Sequence, residues 1–263
     1  MTESPHPEFR LTPAEAAVHL AHVRAAADGF AILLAGGDLS APVPSCPGWD
    51  LTRLAWHLGG VHRWARGAIL EGHPDTPMPD GPSGAPALTA WYREGAEALT
   101  ATLHETDPAT PCWTFGPRPR TAAFWFRRQD HETAMHAWDA AASQAGARPV
   151  YGTGDPRQAA DGVDEVAGFF FPRQVRLQRA SPLECSLAVE CTDTPGRWVL
   201  AGDGAGPESA RDAEADATVR GPAAALVLLL WRRVGLDNAG SNTVSLDGSE
   251  AAARTVLDAG LTP

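Results

Sequence analysis

The residues best suited to chemistry lie in the run RRQDHETAMHAWDAA. On a helix, at about 100° per residue, Glu132 and His136 stand about 40° apart, whereas His131 and His136 are separated by about 140°. Glu132 and not His131 is therefore the natural partner of His136. A carboxylate and an imidazole one turn apart can grip a single ion, and the interior of a helix bundle is where facing helices bring further ligands. His57, on the inner stripe of LTRLAWHLGGVHRWARGAILEG, is the third candidate. Two nitrogens and one carboxylate suit zinc, and three protein ligands leave positions open for water or substrate, the catalytic rather than the structural arrangement. Arg128, one turn before Glu132, and Asp139, two turns after it, share that face. Both are candidates to orient the ligands or balance their charge, and Asp139 is alternatively a fourth ligand.

Spacing alone leaves room for coincidence. Nine His residues and an Ala-rich helix with several polar positions produce ExxxH pairs by chance. A lone His on an apolar face is more often a satisfied core residue than a ligand, and an Arg beside a carboxylate is more often an ion pair than a substrate clamp. His62, His73 and His104 read as surface residues, and Cys46 as a small buried hydrophobe beside a turn. Trp56, Trp125 and Phe126 either line a pocket or pack the core, with packing the expectation for each singly.

Composition narrows the function classes. The chain has 263 residues, 44% of them hydrophobic, and nine Trp, enough for one large or two modest cores. A net charge of -11 with scattered Arg residues argues against nucleic-acid binding. No stretch has the roughly 18 to 20 uninterrupted apolar residues of a membrane span, and the polar start MTESPHPEFRLTP does not resemble a signal peptide. The expectation is a cytoplasmic protein with no membrane partner. Cys46, Cys112, Cys185 and Cys191 form no CxxC pair, so free thiols are expected. All 21 basic residues are Arg. Without Lys, Schiff-base chemistry, pyridoxal phosphate linkage and the GxxxxGK[ST] phosphate loop are excluded.

The elements that must position these residues follow from periodicity. Thr12 caps a first helix with Pro13 at its first position and Ala16, Ala17, Leu20, Val23 and Ala27 recurring at three and four. The Pro- and Gly-rich SAPVPSCPGW is a loop, after which Asp50 caps a second helix with the stripe Leu54, His57/Leu58, Val61 and Ala65. A third helix spans about Leu88 to Glu105, and the fourth is TAAFWFRRQDHETAMHAWDAAASQAG. Four long helices joined by loops predict a four-helix bundle. Beyond a boundary between about Gly146 and Asp161 the texture changes to α+β. The later elements are a short helix over Asp161 to Arg176, the strands LECSLAVEC and RWVLAG joined by DTPG, then ADATVRG, the helix GPAAALVLLLWRRVG, the strand-like NTVSL and a last helix in DGSEAAARTVLDAG. The acidic stretch Glu208 to Asp216 reads as a solvated loop. The expected domains are a metal-binding bundle over 10–148 and a smaller α+β domain over 160–263.

Four ordered segments carry a resemblance: VPSCPGWDLTRLAWHLGG, RRQDHETAMHAWDAA, AADGVDEV and DATVRGPAAALVLLLWRR. Together they resemble the mycothiol-dependent maleylpyruvate isomerase family of actinobacteria, over nearly the whole chain. The resemblance implies an N-terminal DinB-like four-helix fold and a zinc ion held by His57, Glu132 and His136. It also implies an Arg from the C-terminal domain near the active site, for which Arg233 fits best and Arg232 is the fallback. The activity implied uses mycothiol as thiol cosubstrate: the metal lowers the thiol pKa, and the thiolate adds to an electron-poor cis alkene. Rotation about the resulting single bond and loss of the thiol then give the trans isomer, with an Arg holding a substrate carboxylate. If the thiol stays attached, the same site is a mycothiol S-transferase. A non-catalytic metal- or ligand-binding protein is the reading from another class. The implied fold is compatible with a monomer.

Overall fold

The computed structural model describes residues 9–146, 149–203, 214–236 and 244–263. Most of the acidic stretch Glu208 to Asp216, and the start of the run NTVSL, lie outside the described residues.

The first helix, α1 (Pro13–Gly36), begins at its cap. The Thr12 hydroxyl accepts from the Glu15 amide at 3.3 Å while the Thr12 amide donates to the Glu15 carboxylate at 2.7 Å, a reciprocal capping box. By length and composition α1 is apolar enough to cross a membrane; here its buried side, including Leu20, Val23, Phe30 and Leu34, packs on α3 (Ala85–Glu105) and α4 (Ala123–Ala142). Helix α2 (Leu51–Glu71) starts where the Asp50 carboxylate accepts from the Arg53 amide at 2.8 Å, and it packs on α3 and α4 in turn. The core joins Phe30 and Leu34 to Leu51, Leu54, Leu58, Leu88 and Tyr92. At Gly59 a Cβ would run into the Trp91 ring, so a side chain there would force that ring to shift.

The chain divides between Thr153 and Gly154 into two units. In the second, the helix expected over Asp161 to Arg176 starts earlier. Pro156 opens α5 (Pro156–Glu165) under the Asp155 cap, and the chain runs through a π-helical turn (Val166–Phe170) into α6 (Phe171–Arg176). The sheet has order β2-β1-β3-β4, with β1 (Leu183–Cys191) antiparallel to β2 (Arg197–Gly202) and parallel to β3 (Ala217–Gly221), and β3 antiparallel to β4 (Ser245–Gly248). Helices α7 (Ala223–Leu230) and α8 (Glu250–Asp258) pack on β1 and β3. Asp193, in the DTPG turn, accepts from the Ala223 amide at 2.9 Å and so starts α7. That helix stops at Leu230, before the two Arg residues expected to continue it; Arg232 sits in the left-handed region at φ 57°. Overall the chain is a four-helix bundle followed by a smaller α+β part.

Candidate metal centre

Helix α4 carries polar side chains on the sides it turns toward α1 and α2, and this gives the bundle a functional interior. Glu132 Oε1 lies 3.3 Å from His57 Nε2, supplied by α2, and 3.3 Å from His136 Nε2, one turn along α4. These separations are long for a charge-assisted hydrogen bond, which closes to about 2.7 to 2.9 Å. They match the edge of a tetrahedron: ligand bonds of about 2.0 to 2.1 Å place neighbouring ligand atoms about 3.4 Å apart. The three ligand atoms lie within 4.8 Å of one another. The donor set therefore fits a divalent ion of zinc's size. The side chains of His57, Glu132 and His136 are 29%, 18% and 11% exposed, so one side of the cluster is open to a small molecule.

Two of the three candidate ligands, Glu132 and His136, are held by a further partner. Arg128 donates to Glu132 Oε2 at 3.0 Å, which leaves Oε1 to face both imidazoles. His136 Nδ1 is 2.9 Å from Asp139 Oδ2, an arrangement that keeps a proton on Nδ1 and turns Nε2 toward Glu132. Asp139 thus stands behind His136, on the ring nitrogen opposite the cluster. The Trp49 ring lies 5.1 Å from that of His57. Burial works against a charged Glu132, but His136, His57 and Arg128 outweigh it and hold its pKa well below the usual carboxylate range. His136 is likewise opposed by burial, yet Glu132 and Asp139 raise its pKa to about 9. Metal uptake must displace that proton, so it is coupled to proton release.

The segment VPSCPGW is an ordered turn. The Cys46 amide donates to Val43 O at 3.1 Å, the Trp49 amide to Cys46 O at 3.0 Å and the Val43 amide to Trp49 O at 2.9 Å. Gly48 takes the left-handed φ of 81° that the turn requires. Cys46 is half-buried rather than buried, with Sγ 3.9 Å from Asp139 Oδ2. Ser45 Oγ donates to Asp139 Oδ1 at 2.6 Å.

A second cluster sits elsewhere on α4, where His19 Nδ1 and His22 Nδ1 lie 2.8 and 2.9 Å from Asp130 Oδ2. Asp130 is fully buried. Ser45, His19, His22 and Asp130 escape a reading of spacing because their partners are far away in the chain. His131, set aside in favour of Glu132, instead meets the Tyr151 hydroxyl at 3.0 Å.

A further expectation is corrected. His62 is not a surface residue: it is fully buried, with Nε2 3.0 Å from Thr133 Oγ1 and no partner for Nδ1 among the described residues. His73 and His104 are exposed. Trp125 and Phe126 pack the core, while Trp56 is half-buried and donates its indole N–H to Pro82 O at 3.2 Å. In the second unit, Arg232 donates to Leu257 O and Asp258 O at the end of α8, and the Arg233 guanidinium lies 5.6 Å from the Trp231 ring centroid.

The family model of the mycothiol maleylpyruvate isomerase N-terminal domain matches residues 20–141, and that of the corresponding C-terminal domain matches residues 157–255. No curated protein sequence matches the chain. Among solved structures, the fold is similar to the crystal structure of the mycothiol-dependent maleylpyruvate isomerase, at 16% identity and a TM-score of 0.59, over 88% of this chain and 92% of that one. A histidine-to-alanine mutant of that enzyme is similar over the same shares at a TM-score of 0.58. The two matched domains, in the order and over nearly the whole length the sequence motifs indicate, make this chain a member of the mycothiol-dependent maleylpyruvate isomerase family.

Proposed function

We propose that this chain is a zinc enzyme that uses mycothiol to isomerise a small unsaturated dicarboxylate from cis to trans. The observation that carries the metal is the pair of 3.3 Å separations from Glu132 Oε1 to His57 Nε2 and His136 Nε2. A divalent ion bound there lowers the pKa of a thiol presented at the open side, so that thiolate is available at neutral pH. The family and its solved relative support mycothiol as that thiol.

The residues divide the work. Arg128 holds Glu132 so that one carboxylate oxygen serves the site, and Asp139 holds His136 with Nε2 inward. The thiolate sulfur adds to one alkene carbon, and the π electrons move onto the carbon conjugated with the carbonyl. The former double bond rotates; the electrons return, and the thiolate leaves. Thiol is therefore catalytic, not consumed. Arg233, which the sequence resemblance favours over Arg232, is assigned to a substrate carboxylate.

The test is metal content by elemental analysis of the wild type beside His57→Ala and Glu132→Ala, followed by mycothiol binding and turnover. About one zinc per chain, lost in both variants together with thiol binding, is expected, with many turnovers per thiol. A wild type that resists metal loading would remove the metal reading. Stoichiometric thiol consumption with a stable thioether would replace isomerase by S-transferase.

A further inference from the structure

We propose that Ser45 is a positioning residue for the metal ligand His136, acting through Asp139; this rests on the metal reading above. Asp139 is fully buried, and its two oxygens face different sides: Oδ2 accepts from His136 Nδ1 at 2.9 Å, with Cys46 Sγ at 3.9 Å, and Oδ1 accepts from Ser45 Oγ at 2.6 Å. Both are short bonds to an ionised acceptor, the stronger kind in a dry interior. A carboxylate held at one oxygen can still turn about its own axis. Held at both, it fixes the plane in which the imidazole N–H must lie, and with it the direction of Nε2.

The placement of Ser45 gives this contact a further consequence. Ser45 belongs to the ordered turn that leads directly into α2, where Asp50 caps the helix and Trp49 lies against the His57 ring. One turn therefore orients His57 from its own helix and, through Ser45 and Asp139, orients His136 on α4. The two imidazoles come from segments 79 positions apart in the chain, and this turn sets them in register. The turn VPSCPGW thereby acquires a structural role distinct from capping a helix.

The experiment measures zinc and cobalt affinity by competition with a chromophoric chelator, with the cobalt absorption spectrum and the melting temperature of the metal-free protein recorded for each variant. Ser45→Ala is expected to bind about tenfold more weakly, the low end of the range for groups that orient metal-ligating histidines, with an altered cobalt spectrum. Ser45→Thr, which retains the hydroxyl, and Pro47→Ala, an exposed position in the same turn, are expected to bind as the wild type does. Wild-type affinity in Ser45→Ala would overturn the proposal, as would Ser45→Thr binding as weakly as Ser45→Ala. An equal loss in Pro47→Ala would assign the effect to the turn's conformation and overturn it too. A wild type that takes up no metal would defeat the metal reading and this inference together, a result distinct from a wild type that binds and a Ser45→Ala variant that binds equally well.

Discussion

Asp130 and Glu132 stand two positions apart on α4, about 200° around the helix, and each collects two histidines. Composition does not separate the clusters; distance does. At Asp130 both Nδ1 atoms approach one carboxylate oxygen to 2.8 and 2.9 Å, the length of a hydrogen bond to a charged acceptor. At Glu132 both Nε2 atoms stand off at 3.3 Å, as neighbouring ligands of one ion do. The reason lies in the outer partners. Arg128 and Asp139 hold Glu132 and His136 from behind, so the groups cannot simply collapse onto one another. We read the first cluster as a strut joining α1 to α4, and the second as the proposed metal site between α2 and α4.

The largest expected difference is in metal content. Glu132→Ala is expected to abolish stoichiometric zinc, whereas Asp130→Ala is expected to keep it, measured by elemental analysis after dialysis. Zinc lost in Asp130→Ala with the fold intact, shown by an unchanged far-UV spectrum, would break the comparison and make the strut a second site. Asp130→Ala should instead lower stability by about 3 kcal/mol in denaturant unfolding, because two bonds to a buried carboxylate disappear at once. An unchanged midpoint would mean the strut contributes nothing.

The site was the more readable of the two in the sequence, for a geometric reason. Glu132 and His136 share one helix, where residue number fixes angle, and His57 falls on an apolar stripe. Asp130 meets His19 and His22 across 111 and 108 positions, a separation that no periodicity reports. His62 was misread because what buries it lies far away in the chain: its ring meets Thr133 of α4, across 71 positions, and Tyr92 of α3. In the second unit, the strands were readable from their alternation and the DTPG turn. The early start of α5 was not, since Asp155 and Pro156 follow a run of Gly that reads as loop.

His62 supplies a third case to set beside the two clusters, a histidine buried with neither a carboxylate nor an open side. Burial pushes its pKa down to about 3, against the attraction of Glu132. The folded protein therefore stays unprotonated at His62 below pH 6.5, where the unfolded chain takes up a proton. Stability linked to His62 is complete above pH 6.5 and falls by up to about 1.4 kcal/mol per pH unit as the pH drops toward 3. In metal-free protein, the difference in unfolding free energy between wild type and His62→Gln is expected to shift across that window in favour of the variant. Parallel pH profiles would show that His62 titrates normally in the folded state.

The smallest effect tests why the Glu132 cluster stays open. Asp139→Asn keeps the shape but removes the charge and can present its amide N–H₂ to His136, so the tautomer with Nε2 inward loses its preference. Zinc affinity is expected to fall by about 10- to 100-fold, read by chelator competition, with the stoichiometry still one per chain at saturating metal. The matching change in the strut, Asp130→Asn, should leave affinity untouched, although it sits as close to Glu132 in sequence as any residue of the outer support. If both substitutions weaken metal binding equally, α4 responds as a whole, and the contrast between strut and site is one of degree. If only Asp139→Asn does so, the 3.3 Å spacing is maintained locally by the pair behind it, and the two clusters differ in kind because of their second partners rather than their first.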